Sequence, residues 1–377
     1  MVLIEILVAA VFRVQNKFNL MLLLLISQLC YKGQDKNSFY KLNYKTSSDS
    51  VLFDTSFTKE KQFFFLGEYH GYKQANRLAY KVFENLVKNN GVNTLILELG
   101  KSNEFIIYNY LFRGKLEFKY KYYTYSIADD MAEDFIPLYN LYKCNNNQYD
   151  LIVRSIDMEK DPLYAMRCLW LILDENKTTL SAELINARIE IEDSIGLNTK
   201  NKNIISFCNR IVKQFKNDSN GYIKSLKNNY TYYRNIIFGL EAKIKYDNLV
   251  KQKGADSASR YREIYLFNNL ENLNIQNPGR KYFGQFGMVH VINYKDYFLG
   301  RRNWYSLAER LIRSNRKVVR MGGYYIKKRR LRSFQYSNLY SKEKFKELKK
   351  SFKSKFNFYK TNPSDLNPHF DYLIFCK

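Results

Sequence analysis

Histidine is scarce in this chain, with three among 377 residues, at 70, 290 and 369. Imidazole chemistry therefore has few addresses, and the position of each histidine carries information. The cysteines, at 30, 144, 168, 208 and 376, include no CxxC pair and no metal-ligand spacing. That excludes a zinc-finger framework and a dense disulfide scaffold, and Cys168 and Cys376, set in apolar runs, read as buried thiols. None of the familiar nucleic-acid-binding motifs is present. Acidic residues are also short, 36 Asp+Glu against 61 Lys+Arg, for a net charge of +25. Such a balance attracts anionic surfaces, whether nucleic acid, phospholipid or cell-wall polymer. It equally reflects composition: Lys, Asn, Tyr and Phe are abundant while Pro and Ala are sparse, as base composition can dictate. Nucleic acid is therefore not expected as a partner. A hydrophobic content of 46% excludes a disordered chain, and the length suits one large α/β domain or two smaller ones.

The apolar run Phe63-Phe64-Phe65-Leu66 stops on Gly67 and delivers Glu68, Tyr69, His70 and Gly71. It reads as a buried parallel strand reaching its carboxyl end, where open α/β sheets place their sites. Leu78, Val82, Phe83, Leu86 and Val87 then recur at helical spacing over 74–89, and Asn89-Asn90-Gly91 closes that helix. Val92 to Glu98 is a second strand, which completes a βαβ unit with an expected right-handed crossover. Tyrosine and lysine alternate over 116–125, as a loop, an edge strand or the aromatic rim of a pocket. A helical pattern covers 131–142, and the strand from Leu151 to Asp157 again ends on an acid. Helices dominate from 162 to 273, including long amphipathic stretches at 182–195, 204–215, 223–249 and 258–273. Strands resume at 281–287 and 316–322 around a helix at 304–314, and Asp371 to Cys376 is a last strand. The expected fold is α/β: a mostly parallel sheet flanked by helices, with a large helical insertion over 162–273. That insertion either forms a lid over a pocket or simply covers the sheet.

Arg13 and Lys17 precede the short apolar run 18–30, the pattern of an export signal, and the run is short for a membrane span. Residues 1–30 are thus expected to be an export signal or membrane anchor, and 31–377 the domain delivered to the periplasm or cell surface. Cys30 raises lipid anchoring. The segment before Arg13 is long for a signal, as a start codon assigned too far upstream would explain. Near the other end, a basic cluster at 327–332 precedes the stretch 341–356. There Phe345, Leu348, Phe352 and Phe356 share one face among lysines, making a basic amphipathic helix that packs on its own domain or lies on a membrane surface.

These runs place Glu68, His70, Glu98, Asp157 and His290 at one edge of the expected sheet. On the helix that follows Ser259, Arg262 and Asn269 can face the same place. Convergence of several polar groups is a stronger signal than any one motif. For either histidine taken alone, the alternative is a buried imidazole held by a backbone carbonyl.

Gly67-Glu68-Tyr69-His70-Gly71, the strand to Glu98, Ile156-Asp157, the run from Arg262 to Asn269, Gly287-Met288-Val289-His290 and the closing Asp371 strand together resemble the erythromycin esterase-like proteins. Those share a superfamily with Tiki-type proteases and haem-binding uptake lipoproteins. The similarity spans roughly residues 60 to 377, in order. One spacing departs from the esterases, which have two residues between the glutamate and histidine of the first motif. Here only Tyr69 separates Glu68 from His70, as in the Tiki and haem-uptake branch.

The resemblance implies a hydrolase of a small-molecule or peptide substrate. His70 would act as general base on water, with Glu68 or Glu98 orienting it and stabilising its imidazolium. Arg262 would stabilise the oxyanion, and His290 would give a proton to the leaving group. Asp157, Asn269 and Tyr69 would contact substrate. No cofactor is required in the esterase-like reading, whereas the Tiki branch allows a divalent metal held by Glu68, His70 and His290. The alternative function is an exported haem- or metal-binding uptake protein, with Tyr69 or Tyr72 and a histidine on haem. A member with only a structural role is a third reading.

Overall fold

The computed structural model describes residues 40–41, 58–68, 73–113, 150–196, 204–292, 304–325, 356–360 and 370–376. The expected export signal with Cys30, the residues Tyr69, His70 and Tyr72, the stretches 116–125 and 131–142, and the basic segments 327–332 and 341–355 lie outside them. The chain divides into two compact units, Met1–Tyr40 and Lys41–Lys377. Everything below concerns the second.

The strand β1 (Tyr40–Lys41) falls at the boundary; those of the second unit are β2 (Phe63–Glu68), β3 (Thr94–Gly100), β4 (Ile152–Asp157), β5 (Tyr282–Gly287), β6 (Val318–Tyr325), β7 (Phe356–Lys360) and β8 (Tyr372–Cys376). After β1 they lie in one sheet in the order β7-β8-β6-β2-β5-β3-β4. All pairings from β8 to β4 are parallel, and β7 joins β8 antiparallel. The fold is therefore α/β with a mostly parallel sheet, as expected. Phe356, read as the end of a basic helix, instead opens strand β7.

The chain moves from β2 out to β3 and β4, returns to place β5 between β2 and β3, and then extends on the far side of β2 with β6 and β8. Strand order reverses beside β2 and β5, and in open α/β sheets such a switch point opens a crevice at the carboxyl ends. Every residue of β2 is buried, which is why it reads as an unbroken apolar run. Aromatic packing sets its register: Phe63 stacks on Tyr282 at 5.1 Å and Phe65 meets Phe286 edge-on at 5.1 Å. From the covering helix α1 (Lys73–Asn90), Phe83 stacks on Phe283 at 5.7 Å.

Helix α2 (Lys101–Arg113) leaves β3 directly. Between β4 and β5 come α3 (Pro162–Glu175), α4 (Ala182–Gly196), α5 (Ile204–Asn217), α6 (Ser219–Leu226), α7 (Tyr230–Lys253) and α8 (Ala255–Gln276). Asp161 caps α3 by accepting from the Leu163 and Tyr164 N–H groups, with Pro162 in the first turn. The helix expected over 223–249 is in fact two. Lys227 takes a left-handed φ of 47°, and a 3-10 turn at Lys227–Asn229 separates α6 from α7. These helices build their own apolar core around Phe207, Ile211, Phe215, Tyr222 and Tyr233, and Cys168 and Cys208 are free thiols buried within it. The last described helix is α9 (Leu307–Arg313), started by a Ser306–Glu309 capping box. Among the described residues no helix is long and apolar enough to cross a membrane.

Candidate active site

The carboxyl edge of β3, β4 and β5 carries one connected cluster of charge, and Arg262 of α8 is its hub. α8 packs along β4, and Asn269 pins it there by donating to the Ile156 carbonyl at 2.8 Å. Two helical turns earlier, Arg262 reaches the strand ends. Its Nε donates to Asp157 at 3.1 Å, its Nη2 to Asp157 and to Glu98 Oε1 at 2.6 Å, and its Nη1 lies 3.3 Å from His290 Nε2.

Glu98 sits where the pairing of β3 with β4 shifts, between Leu97 and Gly100. Such an irregularity re-aims a side chain. Its second oxygen accepts from the Gly287 N–H at 2.6 Å, and Lys160 approaches its first at 3.3 Å. Burial opposes its ionisation, but His290, Lys160 and Arg262 together hold its carboxyl well below the usual range. The same two carboxylates, Asp157 and Glu98, push the Arg262 guanidinium upward against the effect of its burial.

His290 closes a 3-10 turn, Met288–His290, immediately after β5. It is buried, its Nδ1 bonds Glu263, and its Nε2 lies 3.3 Å from Glu98 Oε1. Burial disfavours the charged ring, yet Glu263 and Glu98 outweigh it and raise its pKa to about 10. At neutral pH it is an imidazolium. That bears on the metal expectation: in this arrangement Nδ1 is engaged by Glu263 and Nε2 faces the Arg262 guanidinium and Glu98, so a cation at His290 would have to displace one of these partners. Among the described residues no group of three His, Cys, Asp or Glu side chains is set to hold a metal ion.

Of the residues nominated from sequence, Glu98, Asp157, Arg262 and His290 are brought together here. Glu68 ends β2 in register with Gly287 and accepts from Gln285 at 2.5 Å. Asp157 and Asn269 were expected to contact substrate, and both have partners within the protein. Asp157 is 0% exposed, and its oxygens accept from Arg262 and the Met158 N–H. The Asn269 amide nitrogen donates to the β4 backbone at Ile156.

No family model and no curated protein matches the sequence. Solved structures do. An erythromycin esterase mutant in its open conformation aligns with a TM-score of 0.54 at 11% identity, over 85% of this chain and 91% of that one. A succinoglycan biosynthesis protein aligns at 0.57 and 13% identity, over 90% and 94%. A Bacillus cereus protein aligns at 0.51 and 14% identity, over 85% and 89%. The fold is the erythromycin esterase-like one.

Within this erythromycin esterase-like fold, three polar residues of the cluster went unnominated from sequence: Glu159, Lys160 and Glu263. Lys160 leans over the site, 3.3 Å from Glu98 and 3.5 Å from Asp157. Glu159 accepts from the Ser102 N–H at 2.8 Å and its hydroxyl at 2.6 Å, clasping the start of α2. Glu263 stands beside Arg262 in sequence, and an acid next to an arginine reads as a solvated pair unless the facing histidine is known. For Glu159 the available signal was its position two residues beyond Asp157, past a strand end.

Proposed function

We propose that the chain is a hydrolase that activates water with His70 and stabilises charge with Arg262 and His290. The observation that carries this reading is the pair of cations held side by side at the switch point, Arg262 Nη1 and His290 Nε2 lying 3.3 Å apart with Glu98 bridging them. Asp157, Glu98 and Glu263 balance their charge at rest, and a guanidinium and an imidazole held together are suited to meet negative charge that develops during reaction. His70 follows the last residue of β2 by two positions, and that strand lies directly beside β5.

In the proposed reaction His70 takes a proton from water as the oxygen attacks the carbonyl carbon. The tetrahedral oxyanion is met by Arg262. His290 gives its Nε2 proton to the departing alkoxide or amine, which is a stronger base than an imidazole even when that imidazole titrates near 10. Acid and alcohol or amine leave, and solvent returns the proton balance of the two rings. The named activity of the esterase neighbour supports a carbonyl substrate, while the single residue between Glu68 and His70 argues for a substrate other than a macrolide ester. The export-signal reading of residues 1–30 places this reaction outside the cytoplasm.

The test is turnover of a panel of alkyl esters and amides by the full chain and by His70→Ala. Loss on the order of 10²–10⁴-fold in kcat with unchanged unfolding is expected. Undiminished turnover in the variant would end the proposal, and a Soret band on haem addition without any hydrolysis would move the reading to haem capture.

A further inference from the structure

We propose that Glu263 is a positioning residue: it grips His290 by Nδ1 and leaves Nε2 as the nitrogen that exchanges protons at the site. The kinetic consequence rests on the hydrolase reading above; the structural claim does not.

The two ring nitrogens of His290 are held unequally. Nδ1 bonds the Glu263 carboxylate at Oε1. Nε2 has only long contacts, 3.3 Å to Glu98 Oε1 and 3.3 Å to Arg262 Nη1. Those two contacts exclude each other as hydrogen bonds. A protonated Nε2 donates to Glu98 and cannot accept from Arg262; a deprotonated Nε2 accepts from Arg262 and gives nothing to Glu98. The ring can therefore change protonation at Nε2 and find a partner in either state, provided Nδ1 keeps its proton. A carboxylate on Nδ1 enforces that condition, as in acid–histidine pairs that set a catalytic tautomer.

Glu263 is built for this role and for little else. It is 1% exposed, and its second oxygen, Oε2, is buried without a hydrogen-bond partner among the described residues. A carboxylate left half-satisfied in the interior is costly, so a residue serving packing alone would be better apolar. Its charge is felt by Arg310 of α9 as well as by His290. The other groups facing the imidazole are Arg262 on the same helix, Glu98 from β3 with Lys160 behind it, and the Phe286 ring edge-on at 6.4 Å. Arg262 and Glu263 are consecutive, so one turn of α8 supplies both the guanidinium beside Nε2 and the carboxylate on Nδ1.

With so few histidines, the full chain labelled with ¹⁵N-histidine allows each ring to be followed by NMR. In the native protein His290 should show a strongly downfield Nδ1–H proton and both nitrogens protonated at pH 7.5. Glu263→Gln keeps an acceptor for Nδ1 but removes the charge. Its His290 should bind its proton about tenfold more weakly or less tightly still, with the titration midpoint moving down accordingly. On a turned-over ester, kcat should fall on the order of 10²-fold with KM little changed, the pH–rate profile should shift, and Glu263→Asp should recover part of the loss. An unshifted His290 midpoint in folded Glu263→Gln overturns the proposal. Should that variant not fold, an Nδ1–H signal absent from the native spectrum overturns it equally. A shifted midpoint with no hydrolysis of any substrate leaves Glu263 as the positioning residue and removes the hydrolase reading instead.

Discussion

Glu159 is buried where a carboxylate gains least from its charge. It is 1% exposed, and burial raises its pKa to about 7 against the pull of the Ser102 hydrogen bonds and Lys101. A carboxyl that holds its proton more tightly folded than unfolded contributes stability that is complete below its ordinary value of 4.5 and lost as pH rises through about 7. Glu159→Gln keeps both Ser102 partners, since the amide oxygen accepts from the N–H and the amide nitrogen donates to the hydroxyl. Urea midpoints of the variant should therefore lack the decline that the native protein shows between those pH values; the same slope in both would contradict the assignment. Glu98 acts in the opposite sense: its depressed pKa adds stability above the ordinary carboxyl range and surrenders it in acid. At this scale the sequence announced residues whose chemistry is visible by type and position, such as Glu98 at a strand end and His290 after one. Glu263 and Glu159 were silent because their roles depend on partners 27 and 57 positions away.

The junction between β3 and α2 shows what a single element boundary decides. Gly100 ends β3, and a Cβ built there would meet the Glu159 carboxylate and lie 3.0 Å from the Glu159 Cα. The backbones approach too closely for any side chain to share the space. Gly100→Ala should cost about 1–3 kcal/mol in denaturant unfolding. Because Glu98 lies two residues away, it should also lower turnover; a variant as stable and active as the native protein would contradict this account. α2 itself was not legible. Its Phe105-Ile106-Ile107 triplet breaks the helical stripe, and the helix is held by what it meets, Phe105 against Tyr232 and Glu104 accepting from the Ser155 N–H at 2.9 Å. The amphipathic stretches of α1 and α5 were legible because one face of each is buried by a neighbour and the other is wet. The break between α6 and α7 was not, since it turns on the backbone angle of Lys227, a residue with no turn preference of its own.

Across the whole molecule, Arg262 links the helices that precede β5 to the sheet they cover. It ties α8 to both β3 and β4 through Glu98 and Asp157. Removing it by Arg262→Met takes the principal cation from two buried carboxylates, Asp157 at 0% and Glu98 at 7% exposure, leaving Lys160 beside both and His290 beside Glu98. Breaking a buried pair in this way typically costs about 3–5 kcal/mol, so urea unfolding should show a loss of that order together with lost turnover. A loss under about 1 kcal/mol would mean that the network behaves like a surface one. By itself the sequence determined the α/β class, the parallel strands and the edge on which the polar residues gather. Continuous apolar runs ending on Glu68, Glu98 and Asp157 have few other physical solutions. Only the tertiary structure decided what those residues do to one another. Strand order put β5 between β2 and β3, and so brought His290 beside Glu98. The packing of α8 on β4 then set Arg262 and Glu263 on either side of that imidazole. Charge coupling depends on distances of a few ångströms, and those distances exist only once residues 98, 157, 262 and 290 have been folded to one place.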